Sequence, residues 1–273
     1  MKTTIASLIA ATTLAAAPVS AQVVYEPIDG LISVEFLDGW RMENGRHMAA
    51  ARIRLDNGWK TYWRATGGIG IPAQFDWNGS ENIAEVRFHW PTPRVWDQDG
   101  LITIGYKTEL VLPIEFTARD AGLPIKIRSG LEFGVCADVC LPVTAQIDAV
   151  LPPAGESGRP AIAAALRDQP ASAEKAGYSN LTCALTPKKN GFDLTARFDT
   201  PRPLSHHAVT VVEYPNESFW IETARTEVSG SSVTAQTTVV SLTKSPVFLD
   251  RGKIRVTVLD QGGAVDMTGC PAG

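Results

Sequence analysis

Hydrophobic and polar residues alternate with a period of two along most of the chain, the pattern of half-buried strands. Ala49, Ala51, Ile53 and Leu55 alternate with Arg52 and Arg54. Asn57-Gly58 then predicts a type I′ hairpin turn, with Trp59 to Trp63 running back from it. Glu85 to Trp90 predicts another strand, closed by Pro91-Thr-Pro93, and Leu101 to Tyr106 the next. Leu110, Leu112, Ile114 and Phe116 alternate with Val111 and Glu115, and Pro113 inside that run suggests a sheet edge or a bulge. Ile125, Ile127, Leu131 and Phe133 occupy odd positions, Lys126, Arg128 and Glu132 even ones. Val143, Ala145, Ile147 and Ala149 repeat the pattern against Thr144, Gln146 and Asp148. Two strands therefore meet at the short connection Cys136-Ala-Asp-Val-Cys140.

Strands at this spacing, punctuated by turn residues, predict an antiparallel sandwich over residues 24–152. Pro152-Pro153-Ala-Gly-Glu-Ser-Gly marks its end. Pro160 at a first helical position, followed by Ala161 to Arg167, predicts a short helix, and Asp168 to Gly177 reads as further linker. Strands resume at Leu181 and continue to Leu259, forming a second, smaller β domain over 178–273. The expected fold class is all-β: two antiparallel immunoglobulin-like sandwich domains joined by a short, partly helical linker at 153–177.

Residues 1–21 read as a secretory signal peptide: Lys2, the apolar stretch Ile5 to Ala17, and the small residues Val19-Ser20-Ala21 before a cut at Gln22. No later run approaches the ~18 apolar residues of a membrane span, so the mature chain is expected not to be membrane-spanning. The expected localisation is periplasmic, an oxidising compartment where disulfides persist. The formal charge of −4, which becomes −5 without Lys2, gives no support for nucleic-acid binding or for an anionic membrane surface. Thr66-Gly-Gly-Ile-Gly-Ile-Pro72 lacks the Lys-Ser/Thr of a phosphate loop and reads as a flexible surface loop. Five of the seven tryptophans (Trp59, Trp63, Trp77, Trp90 and Trp96) lie between residues 59 and 96 of the first domain, where core packing is favoured over a partner groove. The chain has no nucleophile elbow, no HExxH and no thioredoxin-type CxxC, which leaves hydrolase and zinc-protease readings without support.

The four cysteines fall into two kinds. Continuing the alternation places Cys136 and Cys140 on the even, outward set. A three-residue hairpin loop brings its flanking Cα atoms to roughly 5.5 Å, within disulfide range. A crosslink closing about five residues gives only about 2 kcal/mol in the loop-entropy account, against about 4–5 for one closing ~90. The hairpin pair is therefore a poor staple and a good candidate for thiol–disulfide exchange, where an attacking thiolate needs access. A plain staple and metal binding through the thiols remain the alternatives, the latter without a histidine within forty residues. Cys183 shares an apolar face with Leu181 and Leu185 and is expected to point inward. A structural Cys183–Cys270 disulfide would tie the second domain's first strand to its tail.

Several phrases together resemble the amino-terminal periplasmic domain of the DsbD thiol:disulfide interchange family, especially its ScsB-like branch. They are Gly58-Trp-Lys-Thr-Tyr-Trp-Arg64, Gly70-Ile-Pro72, Phe75-Asp-Trp77, Trp90-Pro-Thr-Pro-Arg94, Gly105-Tyr106 and Phe133-Gly-Val-Cys136-Ala-Asp-Val-Cys140-Leu-Pro142. The resemblance covers roughly residues 30–150 and implies an immunoglobulin-like electron-relay module that needs no cofactor. Cys136 and Cys140 take the positions of the redox pair, and the second cysteine there forms the mixed disulfide with partners. The implied partners are thioredoxin-fold periplasmic proteins. The loop between the cysteines is shorter than in the best-known members. The family's membrane and thioredoxin-like domains are absent from this chain, so a separate DsbD/ScsB-like membrane electron-transfer protein would have to supply electrons. Two other functions compete: a binding or chaperone-like β-sandwich module with purely structural disulfides, and a copper-handling accessory protein, which rests on the metal-stress associations of the ScsB-like branch.

Overall fold

The computed structural model describes residues 22–25, 30–68, 70–153, 159–216, 218–243, 248–261 and 263–273. The expected signal peptide at 1–21 lies outside them. The alternating runs form the strands β1 (Gln22–Tyr25), β2 (Ile32–Arg41), β3 (His47–Leu55), β4 (Lys60–Gly67), β5 (Gln74–Asp76) and β6 (Ile83–Phe88). They continue as β7 (Arg94–Gln98), β8 (Leu101–Lys107), β9 (Glu109–Ala118), β10 (Ile125–Cys136) and β11 (Cys140–Leu151). One sheet runs β1-β11-β10-β4-β8-β7 with β5 also on β10, and the other runs β2-β3-β9-β6. The inward residues of both meet in one core: Ile53, Leu112, Ile114 and Phe116 from one sheet, Trp63, Ile104, Leu131, Phe133 and Ile147 from the other. Each such side chain contributes about 1.5–3 kcal/mol on leaving water. Trp63 and Trp90 are buried and Trp59 and Trp77 pack against this core, as the core reading of the tryptophans expects.

Two local expectations change. Asn57-Gly58 does not close a hairpin, because β3 lies in one sheet and β4 in the other. Gly58 has φ +89°, while Asn57 is not among the residues with positive φ. A type I′ turn needs positive φ at both positions. The chain instead crosses between sheets, with Trp59 N–H donating to the Asp56 carbonyl at 3.1 Å. Pro113, expected at an edge or bulge, lies in β9 between β3 and β6. Its carbonyl accepts from His89 N–H at 2.9 Å, just past the last β6 pair, Phe88 with Ile114. A strand residue's N–H and C=O point the same way, so the donor that proline lacks faces the spot where the β6 ladder ends.

The helix α1 (Arg159–Arg167) packs on the first sandwich, with Ile162 buried against Leu37, Met48 and Ala50. Thr92 N–H donates to the Asp168 carbonyl, and His89 Nδ1 lies 3.4 Å from Gln169 Oε1. Within the stretch expected as linker, β12 (Ala171–Ser172) pairs in parallel with a later strand, and α2 (Ala173–Ala176) is capped by Ser172 and closed by Gly177 at φ +72°.

The second sandwich is built from β13 (Ser179–Lys188), β14 (Gly191–Asp199), β15 (Val209–Glu213), β16 (Phe219–Ile221), β17 (Arg225–Ser229), β18 (Ser232–Ser241), β19 (Arg255–Asp260) and β20 (Gly263–Thr268). One sheet is β12-β20-β19-β15; the other is β13-β14-β18-β16, with β17 also on β18. Cys183 and Cys270 form a disulfide inside this core, both almost fully buried among Leu194, Ala196, Val256 and Met267. Cys183 N–H also donates to the Pro271 carbonyl at 2.7 Å, so the tail runs along β13. Val209, Val211, Leu259 and Ala264 join the first sandwich's apolar cluster, which joins the two bodies by an apolar contact.

Candidate redox site

β10 and β11 pair in register from Ile125–Leu151 to Cys136–Cys140, so the two cysteines are the last opposed pair before the tip Ala137-Asp138-Val139. Their Cα atoms are 4.2 Å apart and the sulfurs are bonded. The expected spacing was about 5.5 Å; the closer value matches the roughly 4.5 Å of a non-hydrogen-bonded antiparallel pair.

Both cysteines take the outer face of the sheet as expected, but only Cys140 is exposed; Cys136 is 1% exposed. Parity puts Cys136 on the outer face of the sheet, but that face is roofed. The roof is Tyr62, which stands on the same outer face of β4 as Lys60 and Arg64, while Trp63 between them points into the core. The Tyr62 hydroxyl lies 2.6 Å from Cys136 Sγ and 3.2 Å from Cys140 Sγ. Burial pushes the Tyr62 phenol above its ordinary value, so at neutral pH it keeps its proton and can donate to sulfur.

Two glycines make room for this ring. A Cβ on Gly70, whose φ is +131°, would fall 2.2 Å from Tyr62 Cε1; one on Gly134 would fall 3.2 Å from Tyr62 Cε2 and 3.0 Å from Ile71 Cβ. Gly70 and Ile71, from the stretch expected as a flexible surface loop, thus lie against β10, where the Ile71 carbonyl accepts from Gly134 N–H at 2.9 Å. Thr61 Oγ1 donates to the Gly134 carbonyl at 2.9 Å from below.

From the same strand as Tyr62, β4 places Lys60 directly opposite Cys136, and β8 places Lys107 opposite Lys60. Desolvation and then the Lys107 charge pull the Lys60 ammonium below its ordinary value. A cation across the strand favours the thiolate of a reduced Cys136. The site is therefore asymmetric: one cysteine open to attack, the other enclosed beside a hydroxyl donor and a lysine.

Among the described residues no group of three or more His, Cys, Asp or Glu is placed to hold a metal. Also among the described residues, no helix is long and apolar enough to cross a membrane. Sequence reasoning named both cysteines and missed Tyr62 as a site residue. Its signal was the parity of β4, which sets Tyr62 opposite in facing to the buried Trp63.

Residues 33–152 match the family model described as thiol:disulfide interchange protein DsbD, N-terminal. The fold is similar to the crystal structure of the N-terminal periplasmic domain of ScsB from Proteus mirabilis. That match has a TM-score of 0.64 and 21% identity, and covers 92% of this chain and 98% of that one. No curated protein matches the chain.

Proposed function

We propose that this protein, whose residues 33–152 match the DsbD amino-terminal family model, relays reducing equivalents in the periplasm through Cys136 and Cys140 to thioredoxin-fold partners. The observation that carries the reading is the asymmetry of the pair: Cys140 is exposed, and Cys136 is enclosed with its sulfur 2.6 Å from a phenol. In the reduced protein the Cys140 thiolate attacks one sulfur of a partner disulfide. A mixed disulfide forms and one partner thiolate leaves. The Cys136 thiolate then attacks Cys140 Sγ, the mixed disulfide breaks, and the partner's second thiolate leaves. Two electrons pass to the partner, the Cys136–Cys140 bond closes, and the two thiol protons end on the partner's sulfurs by way of solvent. A thiol-based membrane electron donor recharges the pair by the reverse sequence, entering at Cys140. Cys136 is then the leaving thiolate, with the Tyr62 hydroxyl placed to stabilise it.

The test is a trapping experiment. In Cys136→Ser the attacking Cys140 has no resolving thiol, so incubation with an oxidised thioredoxin-fold protein accumulates a mixed disulfide, read on non-reducing gels. Cys140→Ser accumulates far less. A strong adduct only through Cys136 reverses the roles, and no adduct through either leaves a binding module with a structural hairpin.

A further inference from the structure

Arg64 ties the two sandwiches together at a place that bears on the cysteines. Its Nε lies 2.9 Å from Glu213 Oε1 and 3.2 Å from Oε2, on β15. Its Nη2 lies 3.2 Å from Asp266 Oδ1, on β20, and 3.2 Å from Thr257 Oγ1, on β19. Side-chain exposures are 13% for Arg64, 21% for Glu213 and 25% for Asp266, so this is a largely enclosed contact of one cation with two anions. Such fork-shaped pairing fixes orientation as well as distance.

What Arg64 holds is an irregular piece of backbone. The β4–β8 register steps from Tyr62 opposite Gly105 to Gly67 opposite Thr103, so residues 63–66 bulge from the ladder. Without regular pairing to β8, this bulge is fastened by Trp63 in the core and by Arg64 in the second sandwich. Tyr62, the roof over Cys136, is two residues before Arg64. The Gly70-Ile71 stretch that backs the Tyr62 ring follows the bulge. Both halves of the roof are strung from one clamped segment.

We propose that Arg64 is a positioning residue through which the second sandwich closes the roof over Cys136, and so makes Cys140 the sole point of entry to the pair. The inference rests on the exchange reading above for its purpose, but its content is which sulfur is reachable. With the clamp in place only the Cys140 thiolate meets outside reagents. With it cut, the bulge relaxes, Tyr62 and Ile71 lose their seat, and Cys136 becomes reachable too.

The test uses the full mature chain, reduced at the hairpin, and iodoacetamide, whose iodide each thiolate displaces to form a thioether. Alkylation rates at Cys136 and Cys140 are followed by peptide mapping across the thiol titration range, so that the high-pH plateau reports access rather than thiolate fraction. In the parent Cys140 reacts first. In Arg64→Met and in the double variant Glu213→Gln/Asp266→Asn, the plateau ratio of Cys140 to Cys136 falls by at least about fivefold. Each variant also keeps Cys183–Cys270 oxidised through the reductant pulse that opens the hairpin, and its far-UV circular dichroism matches the parent, which shows that both sandwiches are still folded. If one variant fails that check, the other, which cuts the same contact from the opposite sandwich, decides. A ratio within about twofold of the parent in the folded variants overturns the proposal. No protein partner enters the assay, so failure to trap a thioredoxin-fold protein would count against the relay and leave this inference standing.

Discussion

The two disulfides use the same bond for opposite ends. Cys136–Cys140 spans four positions at the end of a hairpin, where register pairing already holds the strands together. Cys183–Cys270 spans 87 positions and joins β13 to the tail, whose Gly269 and Cys270 N–H groups donate to the Ile254 and Arg251 carbonyls before it runs along Cys183. Loop closure gives the first about 2 kcal/mol and the second about 4.5. Burial separates them again: both sulfur-bearing residues of the long crosslink are enclosed in an apolar core, whereas the short one has an exposed member. A disulfide that contributes little to folding and can be reached is free to be broken and remade. One that closes a long loop in the dark of a core is not.

The largest effect expected from this contrast is on stability. Changing Cys183 and Cys270 together to alanine lowers the unfolding free energy of the second sandwich by about 3–5 kcal/mol, whereas Cys136→Ser/Cys140→Ser costs less than about 2. Urea melts followed by tryptophan fluorescence check this, and a more damaged hairpin variant would erase the contrast. Next in size is the order of reduction. Under graded dithiothreitol Cys136–Cys140 opens at least about a hundredfold faster than Cys183–Cys270, because the latter waits for the core to open. Alkylation and mapping read the order, and simultaneous opening would dissolve the division of roles. Smaller is the effect of Tyr62→Phe, which keeps the ring and removes the donor to Cys136 Sγ. Reduction of the hairpin slows about tenfold, the order expected for a lost hydrogen bond to a charged leaving group. Faster reduction would show that the hydroxyl only shields.

The contrast itself was legible before any coordinates. The period-two runs on either side of Cys136 and Cys140 place the hairpin, and the apolar face shared by Leu181, Cys183 and Leu185 puts Cys183 inside. What could not be read is what covers each strand. Parity tells which face Cys136 takes, not that Tyr62, 74 positions away, lies over it. Asn57-Gly58 misleads for the same reason: turn chemistry is local, but whether the next strand returns to the same sheet depends on the far partners β8 and β10. The resemblance phrases contained Tyr62 and Arg64 side by side in Gly58-Trp-Lys-Thr-Tyr-Trp-Arg64. Nothing in one sequence separates the residue that faces a sulfur from the one that faces another domain.

The connection between the two bodies sets how they can move. Gln169 is still held by His89 on the first sandwich, and Ala171 is already in a ladder with Val265 on the second. Only Pro170 stands between these anchors, and one residue reaches at most about 3.3–3.6 Å. The bodies therefore cannot drift apart, and proline's locked φ removes one of the few torsions left. Only where the Arg64 pairing and the apolar contact of Val209, Val211, Leu259 and Ala264 are broken does a swivel about this pivot remain. If a docking partner levers the second sandwich away from Arg64, the separated charges stay on a very short leash. Their reunion is then an intramolecular encounter at high effective concentration. A short tether of this kind favours reclosure of the contact over lasting separation.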